Sequence, residues 1–134
     1  MSLAAIRIAL ETALDAMSPS IQTAWENMPY QPVVGTPYQA VYMLTATPDN
    51  REIGAGYTEQ GILQVNLFYP LDAGPAAALA RAELIRATFP YAATFTATSG
   101  SVLITQTPEI APARIEDDRY LVPVKIRFES YVGG

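Results

Sequence analysis

The stretch GILQVNLFY, Gly61 to Tyr69, constrains the fold most. Leu63, Val65, Leu67 and Tyr69 alternate with Ile62, Gln64, Asn66 and Phe68, which is the period of a β-strand with one apolar face and one mixed face. YLVPVKIRFESYV near the C-terminus repeats the pattern: Val122, Val124, Ile126 and Phe128 share one face, and Pro123, Lys125, Arg127 and Glu129 the other. Such strands suit an antiparallel sheet with one face on a core and one towards water or a partner. Pro123 lacks an amide hydrogen, so it predicts an edge strand or a strand start.

Two segments have the spacing of helices that cover such a sheet. Leu3, Ile6, Leu10, Leu14 and Met17 recur at intervals of three and four, predicting a helix from Leu3 to Met17. Arg7 and Glu11 are placed to pair on another face, and Ser18-Pro19-Ser20 ends it. Pro75 to Phe89 predicts the second helix, with Ala78, Ala82, Ile85 and Phe89 on one face, Leu79 beside them and Arg81 away from that line. Between them, Ile21–Met28 reads as a short strand, with Trp25 as a core or edge plug and Glu26 and Asn27 capping a turn before Pro29. Pro29, Pro32, Gly35 and Pro37 mark an extended connection, and Tyr38 to Ala46 a strand. Thr47 to Gly61 reads as a long polar loop or twisted hairpin arm. Phe95 and Val102–Ile104 suggest short strands around Ser99-Gly100. The expectation is one α+β domain over residues 1–134, a mainly antiparallel or mixed sheet with two helices on one face.

The residue types exclude much chemistry. The 134 residues contain no cysteine and no histidine, which removes disulfides, thiolate zinc sites and the commonest general base. A net charge of −5 with eight scattered cations argues against nucleic-acid binding. No apolar run is long enough to span a membrane, and the N-terminal segment, with Glu11 and Asp15, is unlike a signal peptide. These features point to a protein made and kept in a cytoplasm.

The turn PLDAGPAAA has the outline of a phosphate loop without its chemistry. It has one glycine, Pro75 removes an amide at the helix start, Asp72 adds negative charge, and no lysine follows. It reads as a chain reversal in which Gly74 takes a conformation other residues avoid. Glu116-Asp117-Asp118 is the densest acidic cluster, compatible with a hard cation but read as a solvated hairpin tip. Lys125, the sole lysine, reads as a solvated strand residue. No catalytic residue, cofactor site or metal site is expected, which leaves a binding, assembly or structural module.

Gly61, Gln64-Val65, the strand ending at Pro70, Gly74, the alanine-rich helix and Phe89 also carry a family resemblance. Together with AWENMPYQPVVGTPYQAVYMLTATP upstream and GSVLITQTPEI and YLVPVKIRFESYV downstream, they resemble the small tail-completion proteins of tailed phages and prophages. The nearest group is the tail terminator-like family related to that of lambda-like phages. The resemblance implies an α+β structural protein that caps the tail tube, ends its polymerisation and offers a surface to the head connector. It implies a ring of copies, commonly six-fold, and no catalysis. Its expected partners are itself, the tail tube protein and a head–tail connector protein, in a virion tail or neck assembled in the bacterial cytoplasm.

Interface residues expected under this reading are Asp49, Arg51, Glu52 and Tyr57 on the long loop, and Gln64, Asn66, Arg127 and Glu129 on the mixed strand faces. The loop from Asp49 to Glu59 is expected to order when a neighbour arrives. Alternatives are another head–tail connector or minor tail protein, a small-molecule-binding regulatory domain with a pocket lined by Trp25, Tyr42, Tyr57 and Tyr69, and an enzyme pairing Glu26 with Glu116 or Asp117.

Overall fold

A computed structural model describes residues 1–50, 53–97 and 99–133. Among them lie two helices, α1 (Leu3–Asp15) and α2 (Ala76–Thr88), and a curled, mixed sheet: an α+β fold. The strands are β1 (Gln22–Ala24), β2 (Tyr38–Thr45), β3 (Tyr57–Pro70), β4 (Thr94–Ala97), β5 (Gly100–Ile104), β6 (Glu109–Ile110), β7 (Arg114–Glu116) and β8 (Arg119–Val132). The sheet runs β1-β2-β3-β8-β5-β4, with β6 and β7 also pairing with β8. Among the described residues only the β1–β2 pair is parallel. No helix among the described residues is long and apolar enough to cross a membrane.

The two alternating stretches form the centre. β3 and β8 pair antiparallel from Tyr57↔Val132 to Pro70↔Arg119 without a break in register. That register sets Val65 opposite Val124 and Leu63 opposite Ile126 on one face, and Gln64 opposite Lys125 on the other. Both helices pack on the first face, where Ile6, Leu10, Leu14, Ala78, Ala82 and Ile85 join the strand residues in one core. Burial of such a face drives the fold at roughly 25 cal/mol per Å² of apolar surface.

Ser2 caps the start of α1, its Oγ accepting the Ala5 amide at 3.2 Å. The helix stops at Asp15, and Met17 is buried just beyond it, while Leu3 stays at the surface. In the turn before α2, Gly74 has φ 78°, the left-handed region that glycine enters without strain.

Three expectations change. β8 is the most heavily paired strand, so Pro123 stands in the sheet interior. Its carbonyl accepts the Ala111 amide at 2.9 Å, so its missing N–H faces the break between β6 and β7, where no strand needs it. Arg81 is buried, 5% exposed, where helical spacing set it apart from the core line. The polar loop is shorter than expected, because Tyr57–Gln60 belong to β3 and Thr58 and Glu59 are buried. Asp49 and Thr58 exchange backbone hydrogen bonds of 2.9 and 2.8 Å, so these ends are already ordered.

Candidate subunit-interaction surface

The face of the sheet opposite the helices is built by parity. Register places Tyr42 and Leu44 of β2, Ile62, Gln64 and Asn66 of β3, and Lys125, Arg127 and Glu129 of β8 on it. No helix among the described residues covers it.

Its centre is polar and preorganised. Gln64 Nε2 donates to Asn66 Oδ1 at 2.9 Å, and Arg127 Nη1 donates to Glu109 Oε1 at 3.1 Å. The Arg127–Glu109 pair is solvent-exposed, worth at most about 1 kcal/mol, so it orients side chains more than it stabilises the fold. Towards the β2 edge the face turns apolar, with Tyr42 and Leu44 exposed at 42% and 47%.

One corner of this face is closed. Ala40, Phe68 and Leu121 form a small buried cluster with Tyr38 and Ala24 packed on it. Tyr38 stacks on Phe68 at 4.7 Å and meets Tyr30 at 5.1 Å. Arg119 is 6% exposed and ties the proline-rich segment over this corner. Its Nη1 donates to the Thr36 carbonyl at 2.6 Å, its Nη2 to the Val33 carbonyl at 2.7 Å, and its guanidinium lies 5.2 Å from the Tyr38 ring centroid. Burial raises the Tyr38 pKa, and the nearby Arg119 charge opposes that shift. Val34, at the tip of the tied segment, is 91% exposed.

The predicted interface residues divide. Gln64, Asn66, Arg127 and Glu129 share the open face. Tyr57 falls by parity on the opposite side, although it and Glu129 line one open cleft at the end of the β3–β8 pair. Asp49 lies beside Thr58 on the loop arm. Arg51 and Glu52 fall outside the described residues.

Glu26 takes a different role from the turn cap expected of it. Its Oε1 accepts the Met43 amide of β2 at 3.0 Å and Nη2 of Arg7 at 2.5 Å. Arg7 also pairs with Glu11 at 2.9 Å, as helical spacing predicted. The Met43 amide, then Arg7, hold the Glu26 carboxyl below its ordinary range. Asn27, with φ 60°, makes the turn in which the Met28 amide reaches the Trp25 carbonyl at 3.1 Å.

The other chemical candidates do not assemble. Trp25 and Tyr42 line one cleft, Tyr57 lines another, and Tyr69 packs against the main core, so the four aromatics proposed for one pocket are dispersed. Glu116 and Asp117 sit at the β7–β8 turn, where Glu116 faces Arg114 at 3.4 Å and Asp117 has φ 53°. Among the described residues no three acidic groups converge on a metal position.

The sequence held a signal for the closed corner in Phe68 and Tyr38, aromatics on otherwise mixed or polar ground. Nothing in the spacing marked Arg119 as their tie.

Comparison with curated protein sequences returned no match. Among solved structures, one 24% identical chain superposes with a TM-score of 0.78, covering 96% of this chain and 95% of its own. Another, from a structure titled "Virion of native gene transfer agent (GTA) particle", is 19% identical with a TM-score of 0.60 and covers 93% and 95%. Both likenesses concern the fold. The family model described as phage tail terminator protein matches residues 5–128, from α1 into β8. The chain therefore belongs to the phage tail terminator family, a family of structural proteins of the phage tail.

Proposed function

We propose that this protein caps the phage tail tube, ends its polymerisation and helps join tail to head. It acts as a ring of copies within the virion, assembled in the host cytoplasm, and the whole chain works as one domain. The observation that carries this reading is the family match over residues 5–128. The open sheet face supports it: its polar groups are held in place by Gln64–Asn66 and Arg127–Glu109 contacts, which reduces the ordering cost of docking. The likeness to a chain of a virion particle points the same way. The tail tube protein and a head–tail connector protein are the partners, and Asp49, Arg51, Glu52, Tyr57, Gln64, Asn66, Arg127 and Glu129 are the proposed contact set.

The test adds purified protein to polymerising tube protein and measures tube length by electron microscopy. Capping at sub-stoichiometric amounts should shorten tubes and leave one particle at a tube end. Tubes of unchanged length with no bound particle would refute the reading. Within the contact set, Arg51→Glu should weaken assembly and leave the melting temperature unchanged.

A further inference from the structure

β2 is longer than the strand beside it. β1 pairs only with Tyr38, Gln39 and Ala40, so β2 runs on as an edge from Val41 to Thr45. The direction of its backbone groups follows from the register. The Ala46 amide donates to the Gln60 carbonyl at 3.0 Å, so even-numbered positions bond to β3 and the amides of Met43 and Thr45 point outward. The Met43 amide meets the Glu26 carboxylate. That oxygen stands where the backbone carbonyl of an added strand would stand.

Among the described residues the other end of the sheet is also open. β4 pairs with β5 on one side and ends the strand order. Its inward side chain, Phe95, packs on Phe89 at 5.2 Å, which anchors the strand. Exposed edges in monomeric proteins are usually blunted with charged side chains or proline. Tyr42-Met43-Leu44-Thr45 and Thr94-Phe95-Thr96-Ala97 contain neither.

We infer that these two edges join: the Tyr42–Thr45 edge of one copy receives the Thr94–Ala97 edge of the next, with Glu26 as a carboxylate placeholder that yields to the incoming strand. The inference rests on the ring reading above and names its contact. Two unlike edges make a head-to-tail joint, which can repeat around a ring. The faces agree as well. Leu44 pairs with Ile62 on the open face. Thr96 pairs with Ser101, two residues before Leu103, which opposes Glu129 on that same face. Joined in this sense, every copy keeps its helices on one side of a continuous sheet.

A chain without native cysteine makes the test direct. Leu44 and Thr96 are both exposed, so Leu44→Cys and Thr96→Cys leave the core intact. The double variant, mildly oxidised over a concentration series, should give disulfide-linked dimers and larger species on non-reducing gels. Each single variant should stay uncrosslinked. Light scattering on the same samples separates the two readings. A ring without crosslinks in the double variant overturns the edge joint and leaves the ring standing. Crosslinking of Leu44→Cys alone means two β2 edges meet, which also overturns it. A monomer throughout, with no crosslinks, overturns both. Glu26→Ala, by emptying the placeholder, should lower the concentration at half-assembly several-fold. An increase would show Glu26 to be a contact and end the placeholder role.

Discussion

Arg119 is expected to be the most consequential polar residue of the molecule, and its cost can be worked from its contacts. It donates two charge-assisted hydrogen bonds, to the Thr36 and Val33 carbonyls, and lies over Tyr38. Hydrogen bonds to a charged group contribute about 1.5–3 kcal/mol each, and a cation over an aromatic face about 0.5–1. Val33 is exposed, so its carbonyl regains water when the arginine goes, and the lower end of the first range applies. Arg119→Met should therefore cost about 3.5–4 kcal/mol. Arg119→Lys keeps the charge but loses the fork that reaches two carbonyls at once, so about half that loss should remain. Urea unfolding gives both values, provided the slope is unchanged. Hydrogen exchange supplies the local signature: faster exchange around Thr36 and Tyr38, with the β3–β8 centre unaffected. A lysine variant as stable as the parent, or a methionine variant losing less than about 1 kcal/mol, would refute the idea that the two-carbonyl grip holds this corner.

Three further outcomes follow from other contacts. A Cβ at Gly61 would stand 2.6 Å from the Leu44 carbonyl oxygen and 3.0 Å from the Phe128 ring. Gly61→Ala should thus cost about 1–3 kcal/mol through overpacking and lower Tm by several degrees in a thermal melt; an unchanged Tm would mean that β2 and β3 separate easily there. Arg81 is buried, its Nε has no partner among the described residues, its Nη1 donates to the Pro19 carbonyl, and desolvation lowers its pKa. Arg81→Met, which keeps the bulk and removes the charge, should match or exceed the parent in denaturant unfolding, whereas Arg81→Ala, which leaves a cavity, should lose about 2 kcal/mol or more. The Glu26 carboxyl is held low, so its stabilisation is present above the ordinary carboxylate range and is lost as pH falls through its depressed folded value. Glu26→Gln should lower Tm at neutral pH, and the gap to the parent should close on acidification; a gap independent of pH would show that the charge is irrelevant to that contact.

Why some of this was legible in the sequence and some was not comes down to the range of the interactions. Periodicity is local, and it placed β3, β8 and the core faces of both helices, because Leu63-Val65-Leu67 and Ile6-Leu10-Leu14 carry their pattern within a few residues of chain. The chain reversal at Gly74 was readable for the same reason: one residue holds the left-handed φ. Pro123 was misplaced because its tolerance depends on a gap between β6 and β7, formed by residues on a different strand. Arg81 and Arg119 were missed because the carbonyls they reach lie far away in sequence, at Pro19, Val33 and Thr36, in segments whose irregular backbone leaves acceptors without strand or helix partners. The candidate surface divides along the same line. Strand parity brought Gln64, Asn66, Arg127 and Glu129 onto one face, since side-chain alternation survives any arrangement of neighbours. It could not reveal that β1 stops short of the end of β2, nor that Glu26 reaches across to the Met43 amide. An open edge is a property of the strand that is absent beside it, and no pattern within Tyr38–Thr45 records that. The faces of this sheet are therefore written in the alternation of each strand, while its edges exist only in the assembled sheet.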